Sequence, residues 1–303
     1  MCGVSFFCLF ANQTTENTNK QMKTQAECMP CFMSQALRAA QKATDKEEII
    51  REILSETAGL LQNIDMDRIP AETGKLVYQI VRDKAGNPDP FYEEKQKSIK
   101  EALTMLPELE KLTRKSDDPL LTAIRIAIAG NVIDFGVNKA FNLKDDVKKN
   151  LKQDFAVSHY DDFKRTLSSA KTVLYIGDNA GESVLDRVLI KQLNRTVYYA
   201  VRENPIINDT TYQDALDSGL DKDAKILSSG VSEAGTIIEK SSDEFRKIFE
   251  ESDLVISKGQ GNYEGLSDEK REIFFLLKAK CPVVARSLNV PENSIVLKNN
   301  QQH

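Results

Sequence analysis

The side chains best suited to chemistry fall in four short polar segments of the sequence. The first, 177–182, places Asp178 beside Asn179 in a glycine-flanked turn and ends in Glu182. The second, 202–210, ends in Asn208, Asp209 and Thr210. The third, 257–262, carries Lys258, Gly259 and Asn262. The fourth, 130–136, sets Asn131 and Asp134 three residues apart in an otherwise apolar stretch. Hard cations prefer carboxylate and amide oxygens, and Asp178, Asn179 and Asp209 offer three. Water and a phosphate oxygen would complete a roughly octahedral shell around Mg²⁺, Mn²⁺ or a similar ion. Lys258 can meet a phosphate as a mobile point charge, and the glycines beside it expose N–H groups suited to an anion nest.

Each residue also has a plainer role. Asn179 followed three residues later by Glu182 fits a helix-capping pair, and Asp209 could cap a helix starting near Thr210. Lys258 could be a solvated loop lysine. Asn131 and Asp134 share one helix face and either cap or line a cleft. A dinucleotide-binding reading of 177–181 fails: the second glycine of that fingerprint is replaced by Asn179, and Asp178 adds negative charge where a phosphate should lie. A bound cation removes that objection. Cys28 and Cys31 form a lone C-x-x-C; a zinc site needs two more ligands, and a redox role wants a strand before the motif. Packing thiols near a helix start are the simpler expectation.

The elements that must position these groups are legible in the apolar periodicity. Helical spacing recurs at 29–40 and 49–61, where Asp45 is a candidate cap, and again at 73–81, 92–106, 107–115, 119–129, 147–154 and 160–169. From 170 onward short β-rich runs alternate with helical ones. Strands are expected at 172–177, 196–201, 224–229, 253–259, 282–285 and 294–297. Near-continuous apolar strands separated by helices indicate a mainly parallel sheet covered on both faces. The fold class is therefore α/β: a helical N-terminal domain (22–165) and a Rossmann-like domain (166–303), preceded by a loose extension (1–21). Ligands of such sheets bind outside the carboxyl ends of the strands, where three of the four polar segments fall.

Composition narrows the classes. The chain has 303 residues, 41% hydrophobic and 29% charged, which is ordinary for a globular protein. A net charge of −5 gives no electrostatic reason to expect a nucleic-acid partner. No apolar run approaches the ~20 residues that cross a bilayer. Five cysteines, an odd and sparse set, do not resemble a secreted disulfide framework, so a cytoplasmic location is expected.

As an ordered series, the motifs ECMPC, GNVIDFG, GDNAGE, NPIINDTTYQDA, SKGQGNYEGL and KCPVVA resemble the metal-dependent damage-control phosphatase family. This family was long catalogued as a domain of unknown function and is also labelled acidic-residue-methyltransferase-like. The C-x-x-C is similar to that of its prokaryotic-type branch, and the resemblance spans 22–297. It implies a metal held by Asp178, Asn179 and Asp209, a phosphate contact at Lys258, and a substrate cleft lined in part by Asn131 and Asp134. Glu182, Gly259 and Asn262 complete the expected substrate contacts. Thr210 stands where related chains commonly have Ala. The implied function is hydrolysis of a small phosphorylated metabolite with Mn²⁺, Ni²⁺, Co²⁺ or Mg²⁺. Metal-activated water is the expected nucleophile, with an aspartyl-phosphate at Asp178 as the second route. An S-adenosylmethionine-dependent methyltransferase, with Glu203 on the ribose, and a non-catalytic metal- or metabolite-binding protein are the alternatives. The sequence sets no oligomeric state.

Overall fold

A computed structural model describes residues 22–130 and 151–302 of the chain. The extension 1–21, and Asn131 and Asp134, lie outside the described residues. Five helices open the described chain: α1 (Cys28–Ala43), α2 (Glu47–Leu61), α3 (Pro70–Ala85), α4 (Tyr92–Arg114) and α5 (Pro119–Gly130). Phe32, Ala36, Ala39 and Ala40 supply the buried stripe of α1, at the spacing the sequence shows. Asp45 does not cap α2; Lys46 holds that position without a side-chain bond. The two helices expected at 92–106 and 107–115 are one, with Pro107 inside it. Proline costs the helix a hydrogen bond, but Met105, Leu106 and Leu109 carry a buried stripe across the break.

The second half builds a seven-stranded sheet: β1 (Phe155–Ser158), β2 (Thr172–Ile176), β3 (Thr196–Val201), β4 (Lys225–Ser228), β5 (Leu254–Lys258), β6 (Phe274–Lys278) and β7 (Ile295–Asn299). Between them run α6 (Tyr160–Ser169), α7 (Ala180–Leu193), α8 (Tyr212–Asp217), α9 (Asp243–Glu251), α10 (Gln260–Leu266) and α11 (Pro282–Leu288). The strand order is β1-β7-β6-β5-β2-β3-β4, and every pairing is parallel except β6 with β7. From β2 the chain winds outward through β3 and β4, then returns to β5 on the other side of β2. The switch point of the sheet therefore lies between β2 and β5, where a crevice must open at the strand ends.

Successive strand residues feed opposite cores. Val173 and Tyr175 of β2 join α4, α5, α6 and α7 on one face. Leu174 and Ile176 join α1, α2, α3, α9, α10 and α11 on the other. The N-terminal helices thus split between the two faces and share both cores with the sheet. The sheet also takes in β1, ahead of residue 166. Helix α7 is buried along nearly its whole length, because α4 and α5 cover the side turned away from the sheet. Its polar residues must therefore find partners inside the protein.

One local expectation is corrected, and one strand is added. Residues 282–285 are not a strand but the start of α11: Pro282 takes the first helical turn, where its missing N–H costs nothing, and Cys281 Sγ accepts from Val284 N at 3.5 Å. A three-residue apolar run cannot by itself be told from a helix segment. The strand preceding it is β6, whose unbroken run Phe274–Lys278 shows no alternation because both its faces are buried. Among the described residues no helix is long and apolar enough to cross a membrane.

Phe274 is fully buried and meets Phe163 edge to face, with ring centroids 5.2 Å apart. Phe274→Ala is expected to destabilise the protein by about 3–5 kcal/mol, read as a lower urea midpoint at unchanged slope.

Candidate active site

At the switch point β2 runs into Gly177, Asp178 and Asn179, and Asn179 becomes the first flanking residue of α7. The chain after β3 turns back through 206–210 to lie against this segment. Ala180 N donates to Asn208 O at 2.8 Å, and Thr210 N donates to Asp178 O at 2.8 Å. These bonds form an isolated bridge that sets Asn179 opposite Asp209. The return turn is strained, for Ile207 sits at φ +47°, a left-handed conformation that β-branched residues avoid. On the other side, Gly259 stands at φ +78°, and a Cβ there would come within 2.0 Å of Asp178 Oδ2. The β5 turn therefore lies directly on the Asp178 carboxylate, and only glycine permits that approach.

Neither capping alternative holds. Asn179 makes no side-chain cap bond; its Nδ2 donates instead to Glu182 Oε1 at 2.6 Å and to Asp178 Oδ2 at 3.3 Å. Helix α8 is capped by Thr211 and Asp214 in a reciprocal box, which leaves Asp209 out. With its nitrogen end engaged, Asn179 presents its amide oxygen as the end open to a ligand. Asp178, Asn179 and Asp209 all line one cavity of about 440 Å³, whose other walls include Arg38 of α1, Gln260 and Glu264 of α10, and Lys280.

A family model described as the damage-control phosphatase ARMT1-like domain matches residues 24–296. The damage-control phosphatase PH1575 of Pyrococcus horikoshii is 39% identical over 287 residues, covering 92% of this chain and 99% of that protein. A damage-control phosphatase of Archaeoglobus fulgidus is 34% identical over 287 residues, covering 91% and 99%. This chain belongs to the ARMT1-like damage-control phosphatase family. A crystal structure of the Pyrococcus horikoshii protein, described there as a DUF89 family protein, is similar in fold, with a TM-score of 0.83 at 38% identity over 92% of this chain and 99% of that one. Phosphatase is thereby the enzyme class of the family, and the switch-point cavity is where its chemistry is to be sought.

The electrostatics of the cavity floor match that class. Burial, and then the charge of Asp209, push the Asp178 carboxyl up to about 7. Burial likewise raises Asp209, against the pull of Arg202. A buried and a half-buried carboxylate side by side repel each other, and a cation between them would relieve both. With the Asn179 amide oxygen they line the same cavity and are the residues that could hold a hard divalent ion. Among the described residues no three His, Cys, Asp or Glu side chains gather as a metal cage, so the amide is a necessary member of this set.

Behind the floor stands a second tier that fixes it. Arg202 Nε donates to Asp209 Oδ2 at 2.8 Å, and its other nitrogens reach Thr236 Oγ1 and Asn262 Oδ1, each at 2.9 Å. Asn262 Nδ2 donates to the carbonyls of Gly177 and Lys258, tying the β2 turn to the β5 turn. Lys258 Nζ is fully buried between Glu182 Oε2, at 2.9 Å, and Asp186 Oδ1, at 2.8 Å. The hydroxyls of Tyr175 and Tyr199 complete Asp186 at 2.7 and 2.8 Å. Burial pulls the Lys258 ammonium down, yet the two carboxylates outweigh it and hold it charged. Burial pushes Glu182 up to about 7 in spite of Lys258.

The structure thus brings Asp178, Asn179 and Asp209 together on the cavity, and sets Lys258, Glu182, Gly259 and Asn262 behind that surface. Among the described residues the cationic side chains lining the cavity are Arg38 and Lys280. The charge of Lys280 reaches both Asp178 and Glu182. Lys280, Arg38, Arg202, Gln260 and Glu264 carry no site role in the sequence reading, although all but Arg38 lie in the segments or motifs it singles out. For Lys280 a signal existed: it follows β6 by two residues, and recognising that strand would have placed it at a strand end.

Gly259→Ala should lower Mn²⁺ affinity by about 10–100-fold in calorimetry, since the added methyl displaces Asp178. The raised carboxyls also set a pH dependence. Asp178 and Glu182 move from ordinary values of 3.8 and 4.5 up to about 7 when folded. The folded state therefore binds more protons than the unfolded one in that window, and stability falls as pH rises through it. In chelator, the Tm should drop between about pH 5 and about pH 8, and added Mn²⁺ should restore it at the upper end.

Proposed function

We propose that this chain is a divalent-metal-dependent phosphatase acting on a small phosphorylated metabolite as a phosphate monoester. The observation that carries the reading is the meeting of two carboxylates, Asp209 buried and Asp178 half-buried, and one amide side chain on the floor of a cavity whose wall bears Lys280 and Arg38. Negative groups alone would repel a phosphate, and positive groups alone would not need two adjacent acids. The pair of features together suits a cation with a phosphoryl group next to it.

Ionised Asp178, ionised Asp209 and Asn179 Oδ1 would hold Mg²⁺, Mn²⁺, Co²⁺ or Ni²⁺. Such an ion, when bound, neutralises charge developing on the phosphoryl oxygens and favours a nucleophilic water. Arg202 keeps Asp209 in place from behind, and the Glu182 carboxylate keeps the Asn179 amide turned the right way. Lys280 and Arg38 take the remaining phosphoryl oxygens from the cavity wall. Hydrolysis breaks the P–O bond to the leaving alcohol, which must gain a proton. Glu264 lines the same cavity; burial and then the charge of Asp178 push it up to about 8, so its carboxyl holds a proton near neutral pH and can give it up. Lys258 supports the Glu182–Asp186 pair rather than the substrate itself.

The size of the cavity, about 440 Å³, suits a metabolite rather than a macromolecule. Asp178→Ala and Asp209→Ala should each lower metal-stimulated release of phosphate from p-nitrophenyl phosphate by at least about 100-fold. Lys280→Met should raise KM about tenfold, through loss of a charge-assisted contact. Turnover that survives exhaustive chelation and both aspartate substitutions would defeat the reading. Binding of S-adenosylmethionine with no phosphate release would replace it with the methyltransferase alternative.

A further inference from the structure

The C-x-x-C segment has no part in the phosphatase reading, yet the fold brings it to the same cavity. Cys28 opens α1, Cys31 lies one turn on, and both line the cavity together with Cys281, which caps α11. The starts of α1 and α11 are held side by side. Arg286 Nη2 donates to Glu27 Oε1 at 2.7 Å and to Gln25 Oε1 at 3.1 Å. All three thiols are free. Residues three apart on an α-helix have Cα atoms about 5 Å apart, inside the span of about 4.4–6.8 Å that a disulfide bridges. Their Cβ atoms lie about 5–6 Å apart, so the first turn must tighten by roughly 1 Å to close a bond.

The two thiols differ in the way an exchange pair requires. Cys31 is exposed, and its Sγ accepts from Gln35 Nε2 at 3.1 Å. It also sits in the first turn of α1. Cys28 is buried beneath it and accepts only from Gln25 N, at 3.5 Å. Burial pushes its thiol up, with the charges of Glu264, Cys281 and Cys31 adding to the effect. Two thiols one helical turn apart can exchange with a disulfide.

We propose that Cys31 and Cys28 form a reversible dithiol–disulfide site in the cavity wall, taking low-molecular-weight disulfides as its oxidant and modulating substrate binding. Cys31 thiolate attacks one sulfur of the small disulfide, and one small thiol leaves. Cys28 then loses its proton and attacks Cys31 Sγ, expelling the second thiol. Two electrons and two protons pass from the cysteine pair to the small disulfide, which becomes two thiols. Closing the bond removes Cys31 Sγ from Gln35 and tightens the turn that presents Phe32 and Gln35 to the cavity. The modulation rests on the phosphatase reading, whereas the bond itself does not.

The full chain is equilibrated in glutathione buffers from fully reducing to fully oxidising, trapped with an alkylating agent, digested with trypsin and weighed. Cys28 and Cys31 share the fragment 24–38, so their bridge appears as the loss of two hydrogens within that one fragment. The bridge should form in the wild type and in Cys281→Ser, disappear in Cys31→Ser, and reverse with dithiothreitol. Oxidised protein should show a KM for p-nitrophenyl phosphate raised about three- to tenfold with kcat unchanged. A fragment 24–38 that stays reduced at every glutathione ratio overturns the proposal. So does a bridge from Cys28 to Cys281, or a bridge that leaves KM unchanged. A bridge that forms in protein with no turnover in either redox state upholds the thiol site and sinks the phosphatase reading instead.

Discussion

Two carboxylates that repel each other, Asp209 buried and Asp178 half-buried, are held together at the place where the sheet reverses its winding direction. That constraint organises the rest of the molecule. Backbone bonds from Ala180 and Thr210 fasten the two turns face to face, so the acids cannot swing apart to relieve their repulsion. The strained Ile207 and the glycine at 259 are the local conformational concessions that let three turns crowd one point. Burial of like charge is unfavourable unless something of opposite sign arrives. The fold supplies part of that from behind, through Arg202, and leaves the cavity side open for more.

The second tier explains why helix α7 carries acids along a buried length. Glu182 and Asp186 are not solvent-facing charges that happened to be covered; Lys258 lies between them, and two tyrosine hydroxyls complete Asp186. The same Glu182 orients the Asn179 amide, so one chain of contacts runs from the tyrosines of β2 and β3 to the cavity floor. Asn262 performs the matching task on the other side by holding the carbonyls of both turns. Removing a single member would leave an unpaired charge or amide in a dry interior, which costs more than a lost contact.

The Lys258–Glu182–Asp186 cluster lies on the face bearing α4, α5 and α7, while the opposite face contributes much of the cavity wall through α1, α10 and α11. Arg38, Cys28, Cys31 and Phe32 come from α1, so the N-terminal helices shape the cavity wall and the strand ends its floor. This division also accounts for a helical half that shares its cores with the sheet: a wall that must meet the strand ends cannot stand apart from them.

Periodicity in the sequence sufficed to show α1, α2 and five of the seven strands, because amphipathic helices and apolar strands write their burial into local spacing. It also sufficed to show Asp178, Asn179 and Asp209 as ligand candidates, since those residues end strands and their side-chain chemistry is intrinsic. The antiparallel neighbour β6 and the helix at Pro282 were not legible, as short apolar runs carry no period that separates strand from helix. Whether Lys258 meets solvent, substrate or buried acids was equally undecided by sequence, because the answer lies in Glu182 and Asp186, more than seventy residues away. The local pattern fixed which residues could act; only the packing of distant turns determined which of them face the cavity, since burial and partnership are properties of the whole chain.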